Sequence, residues 1–220
     1  MPLTIDFSGG TVIVSGGNRG IGAAIAETFA ESENEASAHA TSLQQKYKVT
    51  VRSYQCDTTN PARSAEVIAQ AAKDFGRLDV LVCNAGIDAI DTTEEIVDWT
   101  LGVNVKGVFF LCQAIAKHWI SLKQPGSIVV NSSMTATQLV KAFAFEWAEH
   151  GIRVNAVSPG YVKTEMTAMG NQDMQKVWLD RTPIGRMANP AEIGKSIAFL
   201  ASGLSTYTTG SELLVDGGYS

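Results

Sequence analysis

Residues 11–30 constrain the fold of this chain more than any other stretch. They combine a short β-branched run, a cluster of glycines and an apolar helical pattern. Thr11 to Val14 favours a buried strand, and apolar residues recur at helical spacing after the glycines. The glycines are Gly16, Gly17, Gly20 and Gly22. A strand, a glycine-rich turn and a helix form the first half of a βαβ unit, which predicts an α/β fold with a parallel sheet.

The glycine-rich turn indicates a function as well as a fold. Such a turn brings backbone N–H groups and a helix N-terminus against a pyrophosphate, and glycine is needed where a Cβ would block that approach. The spacing is Ser15-Gly16-x-x-x-Gly20-x-Gly22, which differs from the G-x-G-x-x-G of the commonest dinucleotide fold. The turn predicts a dinucleotide site, and a turn selected only for helix-on-sheet packing is the alternative.

Composition narrows the remaining possibilities. The 220 residues, 45% hydrophobic and 18% charged, suit one domain spanning 1–220. A net charge of −5 argues against nucleic acid or an anionic membrane as a partner. The three scattered cysteines predict free thiols in a reducing compartment, and the three histidines share no ligand spacing, so we expect no metal site. We see no signal-peptide pattern and no apolar run of membrane-spanning length, so we expect a cytoplasmic protein.

The turn at residues 15–22, Ser-Gly-Gly-Asn-Arg-Gly-Ile-Gly, resembles the cofactor turn of the short-chain dehydrogenase/reductase family, with Ser15 where Thr is usual. The resemblance implies a single-domain Rossmann-type three-layer αβα sandwich with a doubly wound parallel sheet. It also implies a nicotinamide cofactor bound by Gly16, Asn18, Arg19, Gly20, Ile21 and Gly22. Arg19 beside the adenosine ribose would bind a 2′-phosphate, which favours NADP(H), and a solvated turn arginine is the alternative.

Two further segments match parts of the chain that line the cofactor in this family. The pattern of residues 48–54 predicts a strand, and the resemblance implies that Asp57 beyond it lies against the adenine. A cap for the helix that starts at Asn60-Pro61 is the alternative role of Asp57, and both roles are compatible. The segment Asn84-Ala85-Gly86 matches the family's Asn-Asn-Ala-Gly, with Cys83 replacing the first Asn.

The nicotinamide side is matched by Pro159-Gly160-Tyr161-Val162-Lys163-Thr164. The resemblance implies that Val162 and Thr164 bind the carboxamide and fix the ring for hydride transfer. Lys106 is a further candidate for a cofactor contact, although a solvated lysine explains it better. The methionines and Trp178 within residues 165–185 favour an adaptable lid over the substrate, with an interface or core packing as alternatives.

Catalytic residues are implied at two places. The strand predicted from Gly126 ends in serines, and Ser133 matches the catalytic serine, whose hydroxyl would hydrogen-bond a substrate carbonyl. An ordinary turn serine is the alternative. Asn104 matches the family's Asn-x-x-Gly inside a long helix predicted over residues 93–121, with Trp99 on its core face. The resemblance implies that Asn104 kinks this helix and that its carbonyl holds a water of the proton relay.

The family's Tyr-x-x-x-Lys pair, in which the ammonium lowers the pKa of the phenol, is absent from this sequence. Ser133 and Asn155 are 22 residues apart, an interval that the family needs from the lysine to this Asn alone. In addition, Glu31 to Glu35 leads directly into a second helical pattern where a second strand should follow. Either segments near 32/33 and 138/139 are missing from the sequence, or the chain is a truncated, inactive paralogue.

The C-terminal runs Ser205 to Gly210 and Leu213 to Tyr219 are similar to fungal NADP-dependent mannitol 2-dehydrogenases and L-sorbose reductases within the family. This similarity implies NADP(H)-dependent hydride transfer between a ketose and a polyol in a homotetramer. A reductase of another small ketone and a dinucleotide-binding protein without turnover are the alternatives.

Overall fold

The computed structural model describes residues 5, 7–32, 45–47, 49–87, 93–132 and 137–220. Five parallel strands pair in sequence order in one sheet. They are β1 (Val12–Val14), β2 (Val80–Cys83), β3 (Gly126–Asn131), β4 (Ile152–Pro159) and β5 (Glu212–Val215). The parallel sheet predicted from residues 11–30 is therefore confirmed.

Eight α-helices surround this sheet in the described part of the chain. They are α1 (Gly20–Ser32), α2 (Pro61–Phe75), α3 (Glu94–Leu101), α4 (Val108–Leu122), α5 (Thr137–Trp147), α6 (Glu165–Ala168), α7 (Gln172–Asp180) and α8 (Pro190–Ala201). A π-helical segment, Gly102–Gly107, joins α3 to α4, and 3₁₀ turns follow α5 at Ala148–His150 and α8 at Gly203–Ser205.

Successive side chains of each strand point to opposite faces of the sheet, so the sheet forms the middle of three layers. In β2, Val80 and Val82 lie in one apolar core, whereas Leu81 and Cys83 lie in the other. Helices α1 and α8 pack on the core that contains Val80 and Val82. Helices α2, α4 and α5 pack on the core that contains Leu81 and Cys83. Because both faces of a parallel sheet must be buried, helices cover it on each side. The predicted αβα sandwich is confirmed.

Helix boundaries follow local chemistry. Asn60 caps α2 by accepting hydrogen bonds from the N–H groups of Ala62 and Arg63, at 3.1 and 3.2 Å. At α8, Asn189 and Glu192 form a reciprocal capping box ahead of the first-turn proline. The start of α2 agrees with the sequence prediction of a helix at Asn60-Pro61.

The strand predicted over residues 48–54 is wrong, since residues 49–54 form no strand in the structure. These residues face β1 across a cavity of about 940 Å³ that both segments line. A β-strand is stable only when another strand pairs with it, and β2 pairs with β1 on the opposite side. The alternating pattern of 49–54 therefore has no partner within the described residues.

Two expectations about the long helix also fail. Glu94–Leu122 is one helical stretch of 29 residues that, by length and composition alone, could cross a membrane, contrary to the sequence prediction. Its apolar face includes Ile115 and Trp119, which are completely buried in the domain core, as in the core helix of a globular domain. Trp99, predicted to face the core, is 59% exposed, because α3 projects beyond the helices that cover α4.

Candidate functional site

The glycine turn connects β1 to the first turn of α1 in a conformation that requires glycine. Gly16 has a φ of +65°, and a Cβ on it would lie 3.0 Å from the Cα of Ala85. A Cβ on Gly22 would lie 2.1 Å from the carbonyl oxygen of Gly16. The helix start is therefore packed directly against the turn, and both predicted glycines are needed for that contact.

The start of α1 leaves backbone donors available at this turn. The N–H of Ala23 donates to the carbonyl of Arg19 at 3.2 Å, which is the first bond of the helical ladder. The N–H groups of Ile21 and Gly22 precede it and lack acceptors within the helix. The side chain of Ile21 packs against the core, so only its backbone can serve a ligand. Backbone donors at a helix N-terminus fit the pyrophosphate of a dinucleotide.

Asn84 connects the ends of three strands. Its amide nitrogen donates to the carbonyl oxygens of Ser15 at 3.1 Å and Gly16 at 3.3 Å. Its amide oxygen accepts from the side chain of Asn131 at 2.9 Å. Because these residues follow or end β1, β2 and β3, the bonds hold the carboxyl edge of the sheet together, where ligands bind in open α/β folds.

Ser15 and Asn131 are site residues that the sequence analysis did not place in the site. The Ser15 hydroxyl accepts hydrogen bonds from the N–H groups of Asn84 and Ala85, at 2.9 and 3.0 Å. Ser15 therefore positions the Asn84-Ala85-Gly86 turn beside the glycine turn. Both residues carry a hydroxyl or amide side chain at the end of a strand, and such groups often hydrogen-bond to neighbouring backbone. That position was the sequence signal by which Ser15 and Asn131 could have been found.

Asn104 lies in the π-helical segment and faces the same turn. Its side-chain oxygen accepts from the N–H of Ile87 at 3.0 Å, and its nitrogen donates to the Ile87 carbonyl at 2.8 Å. A Cβ on Gly86 would lie 3.5 Å from the Asn104 oxygen. The predicted distortion of the long helix occurs here, as a π-helical segment. Both polar atoms of the Asn104 amide are hydrogen-bonded to the Ile87 backbone.

Gly107 is the glycine of the Asn-x-x-Gly motif, and close packing explains why glycine occupies this position. A Cβ there would lie 2.8 Å from the hydroxyl oxygen of Thr58. The glycine thus lets the segment after Asp57 approach the helix. Asp57 accepts hydrogen bonds from the Thr59 N–H at 2.9 Å and the Thr59 hydroxyl at 2.7 Å, and these bonds lower the pKa of Asp57. The alternative role as helix cap is wrong, since Asn60 caps α2.

The loop after β4 reaches the glycine turn from the opposite side. Gly160 lies against the chain terminus, since a Cβ there would be 2.8 Å from the Cα of Asp216. Val162 is buried and bridges to Ala188, which fixes the loop. Thr164 caps α6, and its methyl carbon lies 3.7 Å from where a Cβ of Gly20 would be. The predicted diphosphate and nicotinamide segments therefore meet.

The remaining predicted residues divide into exposed and undescribed positions. Asn18, Arg19 and Lys106 are exposed near the turn and the π-helical segment, where their side chains are accessible to a ligand. Pro159 ends β4 beside β5. Ser133 lies outside the described residues, and the N–H of the preceding Ser132 donates to the Val157 carbonyl at 2.8 Å. The described geometry therefore brings the glycine turn, Asn84-Ala85-Gly86 and Thr164 together, and the roles of Ser133, Asn18, Arg19 and Lys106 stay predictions.

Comparison with known proteins identifies the family. A family model described as enoyl-(acyl carrier protein) reductase matches residues 16–220. The sorbose reductase of Candida albicans is 34% identical, with 97% of this chain and 88% of the relative covered. The chain belongs to the short-chain dehydrogenase/reductase family. It is thus an oxidoreductase of a family that uses nicotinamide dinucleotides.

Two other relatives and a solved structure agree. The sorbose reductase of Schizosaccharomyces pombe is 33% identical, with 100% of this chain and 99% of the relative covered. An NADP-dependent mannitol dehydrogenase of Alternaria alternata is 33% identical over 90% of this chain and 82% of its own length. A short-chain type dehydrogenase/reductase from Mycobacterium marinum superimposes with a TM-score of 0.88 at 31% identity, covering 98% and 97% of the two chains.

The alignment with the Schizosaccharomyces pombe relative is longer than this chain. It spans 254 positions and includes 100% of this chain, which has 220 residues. At least 34 aligned positions of the relative therefore have no counterpart in this chain. Because nearly the whole of both proteins is aligned, these positions lie inside the alignment.

Proposed function

We propose that this protein is an NADP(H)-dependent oxidoreductase that interconverts a ketose and a polyol. The observation that carries the proposal is the proximity of Thr164 to Gly20, since a Cβ built on Gly20 would lie 3.7 Å from the Thr164 methyl carbon. It brings the predicted nicotinamide loop to the glycine turn, beside the Asn84-Ala85-Gly86 segment. A dinucleotide whose pyrophosphate lies at the start of α1 would have its nicotinamide under this loop.

When bound, NADPH supplies the hydride that reduces a carbonyl carbon. The chain's own contribution is to bind and orient, since the Tyr-x-x-x-Lys pair that would protonate the carbonyl oxygen is absent from this sequence. Ser133 hydrogen-bonds the carbonyl oxygen and stabilises the negative charge that develops on it. Asn104, with its side chain fixed on the Ile87 backbone, keeps its carbonyl in place for a water of the proton relay.

The cofactor and substrate assignments have separate support. The exposed guanidinium of Arg19, beside the start of α1, suits the 2′-phosphate of NADP(H). The Alternaria relative is named as NADP-dependent, and the Candida and Schizosaccharomyces relatives are named as sorbose reductases. Fructose with mannitol, or sorbose with its polyol, is thus the proposed pair. The reduction of a non-sugar ketone is the competing enzymatic possibility.

The proposal includes a longer functional protein with further segments near 32/33 and 138/139. The cavity of about 940 Å³ between β1 and residues 49–54 has the position that an added strand would fill. The 34 unmatched positions of the Schizosaccharomyces relative suffice for such a strand and for a segment that carries a Tyr-x-x-x-Lys pair. Intact mass of the purified natural protein tests this. A mass several kilodaltons above 23.4 kDa is expected, and a mass near 23.4 kDa would favour a truncated paralogue.

Assembly as a cytoplasmic homotetramer completes the proposal. Trp99 on α3 is 59% exposed and Phe145 on α5 is 90% exposed, which suits a contact between subunits. All three cysteines are free thiols, as expected in a reducing compartment. Analytical ultracentrifugation should give four times the chain mass, and a monomer at micromolar concentration would contradict the tetramer.

Activity is tested with NADPH consumption in the presence of fructose, sorbose or a non-sugar ketone. We expect oxidation of NADPH with a ketose by the natural protein, and a loss of at least about a hundredfold in kcat for Ser133→Ala. Ser121→Ala, at an exposed serine near the end of α4, is the matched control and should retain full activity. NADPH binding without turnover on any ketone would instead favour a dinucleotide-binding protein.

A further inference from the structure

Three aromatic rings join the lid, residues 165–185, to the loop after β4 and to the chain terminus. The ring of Tyr161 stacks on that of Trp178 in α7, with centroids 4.6 Å apart and planes 13° apart. Tyr219 meets Tyr161 edge-on, with centroids at 5.3 Å. Trp178 also contacts Gly170, where a Cβ would lie 2.6 Å from the indole ring. The lid is thus packed on the residue that begins the predicted nicotinamide loop.

The two residues before the Tyr219 ring also pack on the end of the lid. A Cβ on Gly217 would lie 2.9 Å from the methyl carbon of Thr182, and a Cβ on Gly218 would lie 3.1 Å from the Pro183 ring. The Tyr161 hydroxyl and the Arg181 guanidinium near the Tyr219 oxygen lower the pKa of Tyr219. The chain terminus therefore lies against both the loop and the lid.

The terminal residues 216–220, here called the strap, are themselves fixed. The Asp216 carboxylate accepts from the N–H groups of Gly218 and Ser220, both at 2.9 Å, and from the Ser220 hydroxyl at 2.7 Å. The carbonyl of Gly217 accepts from the N–H of Ile184, near the end of the lid, at 3.2 Å. The strap is consequently ordered enough to hold the Tyr219 ring in one place.

The rest of the lid has few apolar contacts. Met166 is 51% exposed, Met169 is 76% exposed and Met174 is 48% exposed. Segments with little buried apolar surface open at low free-energy cost. The aromatic cluster and the chain terminus are therefore the attachment on which the position of α7 against the loop depends.

We propose that Tyr219 is a positioning residue that holds the lid against the Tyr161 loop, with residues 216–220 acting as a strap across the lid's end. Because the lid begins directly after Thr164, its position determines the space beside the predicted nicotinamide loop. The strap would thereby control substrate entry and affinity, a consequence that rests on the proposed function. The mechanical attachment itself does not depend on that function.

Hydrogen–deuterium exchange of the purified chain tests the attachment. Tyr219→Leu removes the ring that meets Tyr161, so exchange in peptides covering 172–181 should accelerate by about three- to tenfold, as expected for a lost aromatic pair. Tyr207→Leu is the matched control, since Tyr207 is fully exposed, and it should leave exchange unchanged. Trp178→Leu removes the ring that stacks on Tyr161 from the lid side and should give the same local acceleration, including where Tyr219→Leu does not fold.

A spectroscopic readout separates positioning from general stability. Ultraviolet titration of the wild-type chain should show one tyrosine ionising below the ordinary pKa of 10.0, and Arg181→Met should remove that component. Exchange in 172–181 equal to that of the Tyr207→Leu control would overturn the proposal. An acceleration of equal size in β3 and β4 would also overturn it, because Tyr219 would then act through global stability. If nucleotide binding is absent while the local acceleration holds, the proposed function fails and the strap stands.

Discussion

Replacement of Gly22 by alanine tests the packing of α1 against the glycine turn. The added Cβ would lie 2.1 Å from the Gly16 carbonyl oxygen and 2.4 Å from the Asn84 amide nitrogen. Contacts of Cβ atoms below 3.0 Å are essentially unknown, so the helix start must move by about 0.9 Å or more. Both obstructing atoms belong to the turn network, so relaxation there disrupts the predicted pyrophosphate site.

The cost of this movement is measurable. Overpacking of this kind destabilises by about 2 to 3 kcal/mol, which for a domain of this size corresponds to a fall in Tm of roughly 5 to 10 °C. Displacement of the backbone donors should also weaken NADPH binding by at least about tenfold, because the pyrophosphate site depends on their geometry. Urea denaturation and calorimetric titration measure the two effects.

A matched glycine provides the control. Gly203 has no atom within 4 Å of an added Cβ and does not have a positive φ. Gly203→Ala should therefore change stability by less than about 0.5 kcal/mol and leave nucleotide affinity unchanged. If Gly22→Ala is as stable as Gly203→Ala and binds NADPH equally well, the account of the turn is refuted.

Three further changes probe the same framework. Asn84→Ala removes the bonds to Ser15, so we expect about 2 kcal/mol of destabilisation in urea and weaker NADPH binding; unchanged values for both would contradict its connecting role. Arg153→Met removes five hydrogen bonds around the end of α8 and should cost about 3 kcal/mol while the NADPH affinity of the folded fraction is retained. The bond to Arg186 lowers the pKa of Glu192 to about 2, so its stabilisation is complete above the ordinary value of 4.5 and disappears as pH falls towards 2. Glu192→Gln should accordingly lower Tm at pH 7 and match wild type near pH 2, and a difference independent of pH would count against this pairing.

The glycine turn and the well-patterned elements could be predicted from sequence because local chemistry specifies them. Asn60 with Pro61, and Asn189 with Pro190, place caps and first-turn prolines at helix starts that the structure reproduces. The apolar run that forms β2 is fully buried in a parallel sheet, so its pattern is continuous. In these elements, local preference and burial agree.

Failures occurred where an element depends on residues far away in sequence. Residues 49–54 alternate like a strand, but pairing requires a neighbour that the described chain does not place there. Trp99 follows the apolar spacing of its helix, yet α3 extends past the layer that would cover it. Periodicity reports which residues share a face, whereas burial depends on what packs against that face.

The bonds of the site show the same limit. Asn84 and Asn104 were identified by motif, but their partners Ser15, Asn131 and Ile87 lie 17 to 69 residues away. Such contacts arise only when several strand ends meet at one edge of the sheet. A hydroxyl at the end of a strand signals hydrogen bonding in general, without identifying the partner.

The central claim is that backbone amides after β1 bind the diphosphate of a nicotinamide dinucleotide, and calorimetric titration tests it most directly. We expect saturable binding of NADPH, with NADH weaker by about tenfold because Arg19 pairs with the 2′-phosphate. Absence of binding heat with both nucleotides at millimolar concentration, across more than one temperature, would contradict the claim.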